Sequence, residues 1–322
     1  MPLIHHSSYT APLMLRSGDL QTIYPTFLRK LSPALYTRER IDTPDDDFLD
    51  LDWSRIGSRK LVIISHGLEG STHRPYMIGM ANMMNKRGWD ALAWNYRGCS
   101  GETNRTLRMY HNGSIDDLHC VIQHALTTSH YDSIALIGFS LGGNLTLLYL
   151  GSMANQLDPR IQGAVTFSVP CDLRSGATQL AKTRNFFYMK QFLLSLHTKI
   201  KLKMQHMPGA INDNGFSRIR NFKGFDDQYT APIHGFLNAE DYWQKCSSKQ
   251  FLVSIPVPTL IVNAEDDPFL AAACYPIQQA SFSPFVHLEM PRDGGHVGFV
   301  QFNKDGSYWS ENRAAEFLGQ IS

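Results

Sequence analysis

Ser140 lies in Gly138-Phe139-Ser140-Leu141-Gly142, a G-x-S-x-G pattern extended by Gly143 and preceded by the apolar run Ile134-Ala135-Leu136-Ile137. A serine on so tight a strand-to-helix turn stands proud of its sheet, because the flanking glycines let strand and helix pass close together. Its hydroxyl is a poor nucleophile at neutral pH unless a base lies within hydrogen-bond reach, and that base needs an acid to fix its tautomer. Both follow in the chain. Asn263-Ala264-Glu265-Asp266-Asp267-Pro268-Phe269 is an acidic turn after the run Thr259-Leu260-Ile261-Val262, where sites in open α/β sheets gather. His296 sits among three glycines in Gly294-Gly295-His296-Val297-Gly298-Phe299, a loop and not a core. The order serine, acid, histidine suits nucleophilic acyl transfer, with Asp266 and Asp267 as alternatives for the acid.

An anion forming beside Ser140 needs donors. The helix predicted from Leu141 to about Tyr149 turns its positive end toward the serine, and Leu141 offers a free backbone N–H. A second donor is expected from Leu68, in Ser65-His66-Gly67-Leu68-Glu69-Gly70-Ser71 after the apolar Leu61-Val62-Ile63-Ile64. His66 reads as a brace for this loop. Asn95-Tyr96-Arg97-Gly98-Cys99-Ser100-Gly101 matches neither phosphate-binding glycine pattern, so it is expected to be a tight supporting turn with Cys99 as a buried or half-buried thiol.

These loops need a sheet to hang from. Short apolar runs at 61–64, 91–94, 134–137, 164–167, 259–262 and 286–288 have the unbroken character of strands covered on both faces. Helical periodicity falls between them, over 75–87, 114–127, 141–154 and 308–321. Alternating segments at 36–41 and 48–53 flank Thr43-Pro44-Asp45-Asp46-Asp47 and predict a hairpin ahead of the sheet. The expectation is one α/β domain with a mostly parallel, doubly wound sheet led by an antiparallel hairpin. Residues 1 to about 35 are expected to be an arm with apolar anchors that wraps over the body.

The segment from about 171 to 254 lacks a buried-strand signal and follows the strand after the elbow, where a helical lid would overhang the serine. Its first half carries Arg174, Lys182, Arg184, Lys190, Lys199, Lys201, Lys203, Arg218, Arg220 and Lys223 against Asp172 and Asp213. Such a run reads as a solvated helical face in preference to a surface for anionic headgroups or phosphorylated substrates, although transient lipid contact through the lid stays open. Phe186-Phe187-Tyr188-Met189 and Phe192-Leu193-Leu194 are either pocket lining or lid core.

Composition narrows the classes. With 322 residues, 43% hydrophobic, the chain can bury a sizeable core. A net charge of +1 supplies no field for nucleic acid. Five scattered cysteines without C-x-x-C spacing argue against a disulfide framework or zinc site and suit reduced thiols in the cytoplasm. The N-terminus has no signal-peptide pattern, no run approaches the roughly 18 apolar residues of a membrane span, and His5-His6 is too short for a metal site.

Together, Gly138 to Gly143, His66 to Ser71, Asn95 to Gly98, Asp266 to Phe269, Gly294 to Phe299 and the arm's Leu20-Gln21-Thr22-Ile23-Tyr24-Pro25 resemble the YheT-like family of the α/β-hydrolase superfamily. The resemblance spans nearly the whole chain and fades in the lid. It implies an α/β-hydrolase fold, an esterase acting on carboxylic esters, no cofactor, and a Ser140, His296 and Asp267 triad with the acid at the aspartate before proline. The expected partner is a small ester substrate of short to medium acyl chain. The rival readings are a non-catalytic binding protein on the same scaffold and a hydrolase of another acyl bond: thioester, amide, lactone or phospholipid.

Overall fold

The computed structural model describes residues 3–31, 36–128 and 130–321; residues 1–2 and 32–35 of the expected arm lie outside them. Among the described residues nine strands form one sheet: β1 (Leu3–Ile4), β2 (Thr37–Asp42), β3 (Phe48–Ser54), β4 (Lys60–Ser65), β5 (Asp90–Asn95), β6 (Ser133–Phe139), β7 (Ile161–Phe167), β8 (Thr259–Val262) and β9 (Val286–Glu289). Their spatial order is β1-β9-β8-β7-β6-β4-β5-β3-β2. Pairing is parallel except where β3 meets β2 and β5. The expected hairpin, β2 with β3, is antiparallel and forms one edge of the sheet. β1 precedes it and joins the opposite edge, parallel to β9, through Leu3 and Ile4 alone.

Period-two alternation divides the core. Leu61, Ile63 and Leu136 face one buried cluster, while Val62, Ile64 and Ile137 face the other beneath the helices Pro75–Lys86 and Trp309–Gly319. Both faces of the central strands are therefore dry, which explains their unbroken apolar runs. Pro75 opens its helix at the first position, where a missing N–H costs nothing.

The direction of winding reverses at β4. Its chain successor β5 lies on one side and β6 on the other, so the loops leaving β4 and β6 diverge and open a crevice at the carboxyl edge. Arg97, just after β5, ties this edge to the hairpin turn and the next helix: its buried guanidinium meets Asp117 at 2.7 Å, Asp45 at 2.8 Å and Asp47 at 3.0 Å. Between β7 and β8 the described residues hold helices and turns and no strand, with Phe186–His206 the longest helix. No helix of the described residues is long and apolar enough to cross a membrane.

Candidate active site

Ser140 stands between β6 and the helix Leu141–Ser152 at φ +53°, ψ −115°, a backbone conformation an L residue holds only under constraint. The constraint is close packing. A Cβ on Gly138 would run into the Gly142 carbonyl, and one on Gly142 into the Ser65 carbonyl of β4. The Ser140 N–H is spent on Phe167 O at 2.8 Å, which leaves the Leu141 N–H as the first helical amide without an intrahelical acceptor.

The structure brings together side chains 156 and 29 positions apart. His296 Nε2 lies 2.9 Å from Ser140 Oγ, and His296 Nδ1 lies 2.9 and 3.1 Å from the two oxygens of Asp267. Asp267 is buried, and its Oδ1 also accepts the Phe269 N–H at 2.8 Å. Phe269 lies against the imidazole at 4.2 Å between centroids. The other aspartate of the turn, Asp266, does not reach His296. It accepts the Gly295 N–H at 2.8 Å, and burial raises its carboxyl to about 6.

Around Gly67-Leu68-Glu69-Gly70 the amides are engaged with one exception. Gly67 N–H donates to Tyr76 Oη, Glu69 N–H to Tyr110 Oη and Gly70 N–H to Gly67 O, whereas the Leu68 N–H has no acceptor among the described residues. His66 lies beneath this loop. Its Nδ1 bonds Gly67 O at 2.7 Å, Nε2 accepts the Tyr96 N–H, and burial lowers its pKa to about 3, so it stays a neutral brace. Tyr96 donates in turn to His66 O, so the turn after β5 supports the loop after β4.

The histidine loop is held from outside by the arm. His296 N–H donates to Thr22 Oγ1 at 2.8 Å, and Val300 N–H to the buried Gln21 Oε1 at 2.9 Å, both from the helix Gly18–Leu28. Ser168, at φ +54° just past β7, accepts the Val297 N–H. Spacing alone did not mark these three residues. A Gln-Thr pair inside an otherwise apolar arm is the signal that could have found two of them.

Above the serine lies a cavity lined by Leu68, Ser140, Leu141 and His296 on the sheet side. Leu180, Phe192, Leu196, Phe222, Phe225 and Ile233 make an apolar wall from the segment between β7 and β8, and His111, Asn112, Asp226, His234 and Tyr242 make a polar one. Asp226 accepts from Thr230 Oγ1 and Trp243 Nε1, and burial raises its carboxyl to about 7. Of the aromatic run, Phe192 lines the cavity, Met189 and Leu193 pack into a buried cluster, and Phe186, Phe187 and Leu194 are exposed.

The basic run is not the uniform solvated face expected from sequence. Lys203 is buried and donates to the carbonyls of Asn104 and Thr106, while Lys199 pairs with Glu69 at 3.0 Å. Arg174, Arg184 and Lys223 meet Glu240, Asp19 and Asp227 in place of Asp172 and Asp213. Cys99, half-buried, receives the Lys199 ammonium at 2.8 Å.

Residues 60–302 match the family model described as alpha/beta hydrolase fold. YheT of Escherichia coli (strain K12) is 34% identical over 306 residues, 93% of this chain and 89% of that protein. Phospholipase ABHD3 of Mus musculus is 27% identical, covering 87% of this chain and 70% of its own, and the monoacylglycerol lipase of Saccharomyces cerevisiae is 26% identical, covering 91% and 66%. Among solved structures, the Pyrococcus furiosus esterase Pf2001 superposes with a TM-score of 0.63 at 17% identity, over 98% of this chain and 99% of that one, a likeness of fold. The family pattern crosses the elbow, the acidic turn and the histidine loop alike, and with the YheT identity it places this chain in the YheT-like family of the α/β-hydrolase superfamily.

Proposed function

We propose that the protein is a serine carboxylesterase that cleaves short- to medium-chain acyl esters through an acyl-enzyme. The observation that carries this reading is the continuous hydrogen-bonded line from Ser140 Oγ through His296 to Asp267 at the floor of a largely apolar cavity. Ser140 Oγ attacks the ester carbonyl while His296 Nε2 takes its proton and then hands it to the leaving alcohol; Asp267 fixes the tautomer and steadies the imidazolium. The N–H groups of Leu68 and Leu141 receive the tetrahedral oxyanion, each such donor being worth roughly 3 kcal/mol of barrier in enzymes where one has been removed. Water, activated by the same imidazole, then releases the acid. No step calls for a cofactor.

Relatives named phospholipase and monoacylglycerol lipase support an ester as the bond cleaved. Within this reading the chain is one domain, with an arm to about residue 35 and a lid from about 171 to 254, working in the cytoplasm, where its five unpaired thiols suit a reducing medium. The test is Ser140→Ala against p-nitrophenyl butyrate. The variant should keep its thermal transition and lose hydrolysis to background, and undiminished turnover would refute the mechanism.

A further inference from the structure

Glu69 follows Leu68 and holds φ at +54°, a left-handed conformation that an L side chain keeps only where something imposes it. Tyr110 supplies the restraint from both ends. Its hydroxyl accepts the Glu69 N–H at 2.9 Å and donates to Glu69 Oε1 at 2.5 Å, closing a ring between the residue's amide and its own carboxylate. The same oxygen takes the Lys199 ammonium at 3.0 Å, and that ammonium lies 4.7 Å over the Tyr110 ring and 2.8 Å from Cys99 Sγ. Little of this is wet, since the Glu69 and Lys199 side chains are 9% and 16% exposed. Burial opposes the charge on Lys199, yet Cys99 and Glu69 outweigh it and hold the ammonium above its ordinary pKa.

Lys199 belongs to the helix Phe186–His206 of the lid, and one turn further on Lys203 grips the Asn104 and Thr106 carbonyls. The lid helix is thus pinned at two successive turns, and one pin ends on the residue beside the unengaged Leu68 N–H. We infer that Glu69 and Lys199 are positioning residues: the seated lid sets the Glu69 backbone, and through it the direction of the Leu68 amide, so that the oxyanion hole is complete only with the lid in place. This rests on the serine-esterase reading above. Taking the cation away leaves Glu69 an unpaired, poorly solvated carboxylate, so the ring it closes with Tyr110 loses its anchor on the lid and holds the neighbouring peptides less firmly.

The experiment compares Lys199→Met, Tyr110→Phe and Lys199→Arg with the intact protein, using p-nitrophenyl butyrate and an alkyl trifluoromethyl ketone whose hemiketal oxygen occupies the oxyanion position. Lys199→Met and Tyr110→Phe should lower kcat about tenfold or more with KM within about twofold, and raise the ketone Ki in proportion. Lys199→Arg should recover most of both. A purely structural tie would lower Tm without linking kcat to Ki. Unchanged kcat and Ki in a folded Lys199→Met overturn the inference; if that variant does not fold, Tyr110→Phe decides on the same terms. Labelling of the intact protein at Ser140 by a fluorophosphonate separates the two levels. A labelled protein whose variants match it sinks this inference alone, whereas an unlabelled, inactive protein sinks the esterase reading and this with it.

Discussion

Asp266 and Asp267 are adjacent, and their carboxylates face opposite partners: Asp267 meets His296 Nδ1 at 2.9 Å, while Asp266 accepts the Gly295 N–H at 2.8 Å. The turn decides between them. Asp267 Oδ1 caps the Phe269 N–H two residues on, which aims its second oxygen at the imidazole, and Asp266 is left to hold the loop on which that imidazole rides. One carboxylate touches the ring and the other touches its support.

The two substitutions should therefore separate. Asp267→Asn presents an amide where the Nδ1–H needs an acceptor, and kcat on p-nitrophenyl butyrate should fall by roughly 10³–10⁴. Asp266→Asn keeps an oxygen for Gly295, and because burial already holds this carboxyl up at about 6, losing the charge relieves a cost and takes away no partner. Its kcat should stay within about threefold. Equal losses in the two variants would show that the acid had been assigned to the wrong residue.

Much of the scaffold was legible because its signals are local. G-x-S-x-G marks its own turn, and a strand dry on both faces has to be apolar at every position. Gly294 and Gly295, at φ +151° and +57°, announce the loop that carries His296. The choice between Asp266 and Asp267 needed a family resemblance, because both sit on one turn and only a capping hydrogen bond distinguishes them. Thr22 and Gln21 act on residues 274 and 279 positions away, a distance over which no periodicity speaks. Lys203 occupies a buried stripe with Met189, Leu193, Leu196 and Ile200, yet in sequence it cannot be told from a solvated lysine, because its partners are backbone carbonyls and not acids. β1 is two residues long and has no pattern to detect.

Buried ionisable groups set the response to acid. Burial holds His66 at about 3, His234 at about 4 and His111 well below its ordinary value, so all three stay neutral when folded. In the unfolded chain they take up protons below about 6.5, so their folded-state neutrality costs stability as pH falls through that value. Asp226 and Asp266, raised by burial to about 7 and about 6, act oppositely: the folded state binds their protons first, and stability rises as pH falls from about 7 toward 4. Three unfolded-state protons stand against one from Asp226 and part of one from the half-solvated Asp266. Asp45, Asp47, Asp50 and Asp52, held below their ordinary range by hydrogen bonds and neighbouring arginines, add to the histidines, so the unfolding free energy near pH 5 should fall on acidification. Urea titrations should find that slope reduced by about 1.4 kcal/mol per unit in His234→Phe and increased as much in Asp226→Asn, where Thr230 can reverse its hydroxyl to accept from the new amide. An unaltered slope in His234→Phe would mean that this histidine is already charged in the folded protein.

Chain length is a direct test, because the wall built by Leu180, Phe192, Leu196 and Phe225 is apolar and suits an acyl tail. Each methylene buried there is worth about 0.8 kcal/mol, so kcat/KM across p-nitrophenyl esters should rise about fourfold per methylene from acetate until the cavity is full. Ala177 lines the same space from the helix Leu173–Leu180. A phenylalanine at that position takes up room that the distal methylenes would occupy. Ala177→Phe should leave acetate turnover near that of the intact protein and lower the octanoate-to-acetate ratio of kcat/KM by about tenfold or more. A profile that keeps its optimum, with all esters slowed alike, would place the acyl chain elsewhere and assign this wall to the leaving alcohol.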